Sequence, residues 1–159
     1  MKSTSIERCL KGIIIGLSVC GVLVYALLLP AFGDSMRIQY PEFSHWYYPW
    51  LTFLWLTVVP CYFTLAAAWK VAVNIGKGHS FSYENGRCFK KISYYAFSDS
   101  VFFFTGNMLF WLFGINHPGI VIVSLVIVFF GLSISLASKA LSQLVDDAAV
   151  LKEESDLTI

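Results

Sequence analysis

Apolar positions in this chain form four long runs interrupted by short polar segments. The first, Gly12 to Leu29, gives 18 residues without a charge, inside the roughly 17–25 that a helix needs to cross a bilayer. The others cover residues 50–73, 92–113 and 120–144. The pattern predicts an all-α fold, an integral membrane four-helix bundle. It forms a single domain over residues 1–159, with an acidic tail at 145–159. Composition agrees: 13% of the residues are charged, against about 25% in a soluble domain.

Two other readings compete for the first run: a signal peptide cleaved at Ala31-Phe32-Gly33, and a lipoprotein signal ending at Cys20. Val19 is too bulky to precede a lipoprotein cysteine, and the run exceeds the roughly 7–15 apolar residues of a signal. A retained helix is expected, with Gly12, Gly16 and Cys20 as a ridge that admits a close helix neighbour. Pro30 to Pro49 is expected as a polar, aromatic loop. Trp46, Tyr47, Tyr48 and Trp50 form an interfacial belt there, with a ligand-binding aromatic lid as the alternative. Pro60 predicts a kink in the second run, its freed carbonyl covered by Thr57 or Thr64. Gly114 to Gly119 reads as a tight turn. Ser124, Gly131, Ser135, Ser138 and Ser142 make one stripe of small residues on the last helix, a surface for a packed neighbour.

The eleven Lys and Arg residues are unevenly placed. Lys2, Arg8 and Lys11 precede the first run, Lys70, Lys77, Arg87, Lys90 and Lys91 surround the second connection, and Lys139 and Lys152 lie near the C-terminus. Arg37 alone lies in the opposite loops. Because positive charge stays in the cytoplasm, both termini and the segment Gly76 to Lys91 are expected inside. The net charge of +1 offers no surface for broad nucleic-acid binding, so the expected surroundings are a lipid bilayer and no direct nucleic acid.

The segment that opens the third helix is amphipathic. Ser82 is a natural N-cap with Glu84 in the first turn. Arg87, Lys90 and Lys91 lie largely apart from Phe89, Ile92 and Tyr95, which suits an anionic headgroup layer or a docked protein. Gly76-Lys77-Gly78-His79-Ser80 lacks phosphate-loop spacing and follows no strand. At the other end of the chain, Glu153, Glu154 and Asp156 make the tail acidic, and Leu157-Thr158-Ile159 ends it on apolar residues suited to docking. The basic segment and the acidic tail are complementary enough to clasp each other.

Asp99 is the one charge well inside an apolar run. A lone carboxylate at mid-bilayer costs roughly 2.5–3.5 kcal/mol, so compensation is expected. Lys139 and Lys70 are the candidate counter-charges and Ser135 and Ser138 the candidate donors. Asn107 extends the polar seam. The four cysteines, Cys9, Cys20, Cys61 and Cys88, are unpaired in sequence and read as apolar fillers. His45 and His117 are expected on one side and His79 on the other. The chain therefore offers no metal site, no catalytic constellation and no cofactor motif, and it is expected not to be an enzyme.

The stretch GKGHSFSYENGRCFKKISYYAF resembles the loop-plus-helix signature of a bacterial family of small four-span membrane proteins, domain of unknown function 2975. Gly78, Phe81, Ser82 and Asn85 match its turn; His79 stands where a proline is common. The ending LKEESDLTI is also similar to the family's. The resemblance implies a multi-pass protein of the bacterial cytoplasmic membrane without enzyme activity. Members are often encoded beside a small helix-turn-helix regulator, which implies such a regulator as a cytoplasmic partner.

Three functions follow as expectations. The first is a regulatory or sensing module whose cytoplasmic surface binds a partner through Ser82, Asn85, Arg87, Lys90, Lys91, Glu153, Glu154 and Asp156. The second is a proton-coupled transporter using Asp99, which would require a homo-oligomer. The third is an immunity protein that meets a secreted peptide at the aromatic surface Trp46 to Trp50.

Overall fold

A computed structural model describes residues 2–157, except for the side chains of Lys2, Ser3, Phe43, Asp156 and Leu157. All its regular structure is helical. α1 (Lys2–Leu23) passes through a π turn (Val24–Leu28) into α2 (Leu29–Gln39). A 3-10 turn (Pro41–Trp46) leads into α3 (Tyr47–Leu56), followed by α4 (Val58–Gly76), α5 (Tyr83–Leu112) and α6 (Pro118–Leu157). These make four rods, the first being α1 with α2 and the second α3 with α4. Among the described residues, three stretches are long and apolar enough to cross a membrane: Thr4–Gln39, Ser44–Gly76 and Pro118–Ser155. α5 is more polar, because it carries Arg87, Lys90, Lys91, Asp99 and Asn107.

The distribution of side chains is the reverse of a soluble protein's. Asn74, Asn85, Asn107, Ser93, Ser135, Ser138 and Ser142 are buried between rods, while Leu28, Phe129 and Leu136 are 62%, 68% and 70% exposed. Small and hydrogen-bonding residues let helix backbones approach in lipid, where large apolar side chains gain nothing by turning inward. This is the packing of a membrane protein. The small-residue stripe of α6 lies against α5: Ser135 Oγ donates to Ser93 O at 2.9 Å and Ser142 Oγ to Gly86 O at 2.8 Å. Gly12 and Gly16 meet nothing within 4 Å, so their ridge is unused within the chain.

α1 packs on α4, α4 on α5 and α5 on α6. No packing of comparable extent joins the first rod to α6 among the described residues, so the bundle is open along that seam. Phe53 ties α3 to α5: it stacks on Phe103 at 5.8 Å and meets Phe110 edge-on at 5.2 Å. Gly106 leaves the space that the Phe53 ring fills.

Both helix–helix turns share one device. Gly78 and Gly114 take positive φ, 79° and 69°, which costs glycine little. His79 N–H then donates back to Asn74 O and Ile115 N–H to Phe110 O, at 2.9 and 2.8 Å, covering the last carbonyls of α4 and α5 as a Schellman cap does.

Two expectations about the rods are corrected. Pro30 to Pro49 is not an open loop, because the first rod runs on to Gln39. The π turn is what lets it pass Pro30: Leu29 N–H reaches back to Val24 O, and Tyr25 O is left facing Pro30, which has no N–H. Trp55 Nε1 donates to that carbonyl at 3.1 Å. The second rod breaks at Thr57, three residues before Pro60, since a proline ring clashes with the carbonyl four residues earlier. The expected cover of the freed carbonyl, Leu56 O, is corrected: Thr57 Oγ1 donates instead to Leu54 O at 2.7 Å and Thr64 Oγ1 to Pro60 O at 2.9 Å. Tyr25 Oη and Thr57 Oγ1 lie 2.9 Å apart, so the two irregular points of the first and second rods meet.

Candidate functional site

Three places gather polar residues, and each is built by different elements. The first is the bundle interior. Asp99, half-buried on α5, lies within electrostatic reach of Tyr25 and Cys61, beside the Tyr25–Thr57 contact. Its Oδ1 is buried without a hydrogen-bond partner. The expected compensation is therefore corrected. Lys139 and Lys70 are exposed and neither pairs with Asp99. Ser135 and Ser138 face the α5–α6 contact, where Ser135 bonds Ser93. Asn107 belongs elsewhere: its Oδ1 accepts from Asn116 Nδ2 at 3.1 Å, beyond the far end of α5. The sequence offered these residues as one seam, and helix rotation divides them among three contacts.

The second place is the end that carries both termini. Ser82 caps α5 in extended conformation and accepts from Asn85 N–H at 3.4 Å. Asn85 is fully buried, so its assignment to a contact surface is corrected. Its Oδ1 accepts from Asn74 Nδ2, and its Nδ2 donates to His79 O and Ser80 O, all at 3.0 Å. It thus ties the end of α4 and the whole turn to the start of α5. Arg87, Lys90 and Lys91 are exposed beyond it. α6 continues past the bundle, with Val145 and Ala149 buried. It brings Glu153 to Tyr83, whose hydroxyl donates to Glu153 Oε2 at 3.4 Å. No salt bridge closes the basic segment onto the tail among the described residues; this phenol contact takes the place of the expected clasp. Glu154 is exposed, and the side chain of Asp156, with Thr158 and Ile159, lies outside the described residues. Desolvation, with Glu84 adding to it, pushes the Cys88 thiol up from its ordinary value, which keeps it a neutral filler at pH 7.

The third place is a cavity of about 460 Å³ at the opposite end, in the open seam. Ligand pockets span roughly 300–1,000 Å³. Its walls come from α2, the 3-10 turn and the start of α3, the end of α5 and the start of α6. Trp46, Tyr47 and Trp50 line it, so the aromatic cluster forms a wall as well as an edge. The Asn107–Asn116 pair is buried in its floor. Arg37 lies at its edge, 5.1 Å over the Tyr47 ring. His117 Nδ1 accepts from Gly119 N–H at 3.1 Å, which caps the start of α6. The cavity's aromatic wall falls on the cluster read above as an alternative ligand-binding lid, while the rest of its lining carries no sequence signal. Asn116 reads as a turn residue until its pairing across the turn with Asn107, nine positions earlier, is seen.

Residues 31–159 match the family described as "Protein of unknown function (DUF2975)". The match takes in the elements that line the cavity and the termini-side surface. The chain is also 30% identical, over 149 residues, to "Uncharacterized membrane protein YoaS" of Bacillus subtilis (strain 168), with 92% of each chain covered. No solved structure matches. An all-helical chain with lipid-type packing, matched over most of its length by the family and by a membrane protein, belongs to the DUF2975 family of membrane proteins.

Proposed function

We propose that the chain is a non-enzymatic, multi-pass regulatory module of the bacterial cytoplasmic membrane. Its termini-side surface binds a cytoplasmic partner protein, such as a small helix-turn-helix regulator. All four rods cross the membrane, with both termini in the cytoplasm, as the bias of positive charge requires. One observation carries this reading. Exposed Arg87, Lys90 and Lys91 stand on a helix start locked by buried Asn85, next to an α6 extension that delivers Glu153 to Tyr83. A rigid surface bearing both signs of charge suits selective protein recognition better than a lipid surface, which asks only for positive charge.

The test is quantitative affinity capture in detergent of the full chain against the charge-reversed variant Arg87→Glu, Lys90→Glu, Lys91→Glu. Loss of a specific co-purifying protein from the variant, restored by a compensating reversal in that protein, supports the reading. An unchanged set of partners rejects it.

A second reading is favoured by the unpartnered Asp99 Oδ1: proton-coupled transport by a homo-oligomer. Intramembrane acids mark such pathways. Asp99→Asn would then abolish proton-driven flux in proteoliposomes while leaving expression intact. The reading fails if wild-type proteoliposomes show no proton flux.

A further inference from the structure

The cavity in the open seam lies at the far end of the molecule from the partner surface and plays no part in that reading. Its chemistry is uneven. Leu29, Leu54, Phe103, Ile120, Val123 and Ile127 give it an apolar body. Its one Lys or Arg side chain is Arg37, at the edge and exposed. Arg37 is paired only loosely, with Asp34 at 3.5 Å, and the two side chains are 45% and 59% exposed. Exposed pairs of this kind contribute little, and a guanidinium has five N–H donors, so donors remain for a second anion. Stacking over Tyr47 holds the group at the cavity mouth.

Size narrows the occupant. At roughly 30 Å³ for each water-sized group, about 460 Å³ holds on the order of fifteen heavy atoms. That matches one long acyl chain. The seam between α2 and α6 supplies an entry, since no extensive packing closes it and Phe32 and Val123 on its two sides are exposed. A molecule dissolved in the bilayer can enter sideways without crossing water.

We infer that this cavity binds a single-chain anionic amphiphile of the fatty-acid class. Its chain lies between α2 and α6, and its carboxylate is held by Arg37. The charge is matched at the mouth and the apolar volume in the body, and the neighbouring Asn107–Asn116 pair, already bonded to itself, makes no demand on the chain.

The experiment uses the full-length protein in phosphatidylcholine nanodiscs at about pH 9, where a membrane-dissolved carboxylic acid is ionised despite partial desolvation. The probe is a diazirine-bearing fatty acid of palmitate length, with labelled residues mapped by mass spectrometry. Palmitate, hexadecanol and unlabelled phosphatidylcholine are the competitors. Labelling is expected to concentrate on α2 and the first turns of α6. Palmitate should compete at least about tenfold better than hexadecanol, a ratio equal to ~1.4 kcal/mol. Arg37→Gln, at an exposed position, should remove that preference while leaving hexadecanol competition unchanged. Ile120→Trp and, separately, Val123→Trp should fill the cavity and suppress the labelling, with thermal melting as the check on folding.

Diffuse labelling that extends to Phe129 and Leu136 and is untouched by Arg37→Gln would overturn the assignment, as would equal competition by palmitate and hexadecanol in the wild type. Saturable labelling by a diazirine phosphatidylcholine at the same residues would overturn the single-chain claim.

Discussion

The indole N–H of Trp55 donates to the carbonyl of Tyr25 at 3.1 Å, supplying the bond that Pro30, five residues after Tyr25, has no hydrogen to make. A side chain of the second rod thereby completes the backbone of the first. Trp55→Phe leaves that carbonyl without a partner at little loss of packing. An unfolding loss of about 1–2 kcal/mol is expected, read as a lowered melting temperature in detergent. In a Pro30→Ala background, where a backbone N–H is restored, the same substitution should cost less than about 0.5 kcal/mol. Equal costs in the two backgrounds would contradict the pairing.

Asn85 makes three side-chain hydrogen bonds while fully buried. Asn85→Ala strands Asn74 Nδ2 and frees two turn carbonyls, a loss expected at about 2–4 kcal/mol. Limited proteolysis should find residues 77–82 cut faster in the variant. A turn cut at the wild-type rate would show that something other than Asn85 holds it.

Gly106 and Gly86 both pack closely and differ in what a methyl group would meet. At Gly106 it runs into the Phe53 ring, itself wedged against Phe103 and Phe110; at Gly86 it meets only the carboxylate end of Asp146. A stacked ring has nowhere to move, while a carboxylate rotates away. Gly106→Ala should cost about 1–3 kcal/mol and Gly86→Ala less than about 1 kcal/mol, compared by thermal melting. The reverse order would place the tight contact at the wrong end of α5.

Asp99 has a buried, unpartnered oxygen, and Lys139 is exposed and unpaired with it. Removing its charge should therefore leave stability unchanged or raise it. Asp99→Asn is expected to melt at or above the wild-type temperature, and Lys139→Gln within about 0.5 kcal/mol of it. If both variants lose stability and the double variant loses no more than either, the two are an ion pair.

Local features were the legible part of the sequence. The apolar runs, the Ser82 cap and the glycine turns each depend on a few neighbouring residues, and the structure has them. The small stripe on α6 was legible too, because its period is the helix's own. Helix rotation and seam closure were not. Asp99, Asn107, Ser135 and Lys139 look adjacent when projected on single helices, yet which faces meet depends on contacts between rods. The Pro30 segment misled because a proline normally ends a helix, and a π turn with a borrowed indole N–H is a tertiary solution. The cavity arises from a contact that is not made, so beyond the aromatic cluster at Trp46, Tyr47 and Trp50 no run of residues announces it.

Orientation underlies both the partner surface and the amphiphile site, and it can be measured directly. In a chain with Cys9, Cys20, Cys61 and Cys88 replaced by serine or alanine, single cysteines at Lys77→Cys and at His45→Cys report the two ends. A membrane-impermeant maleimide applied to intact cells should label His45→Cys alone, and Lys77→Cys only after the membrane is opened. Labelling of Lys77→Cys in intact cells, with His45→Cys protected, would contradict the account.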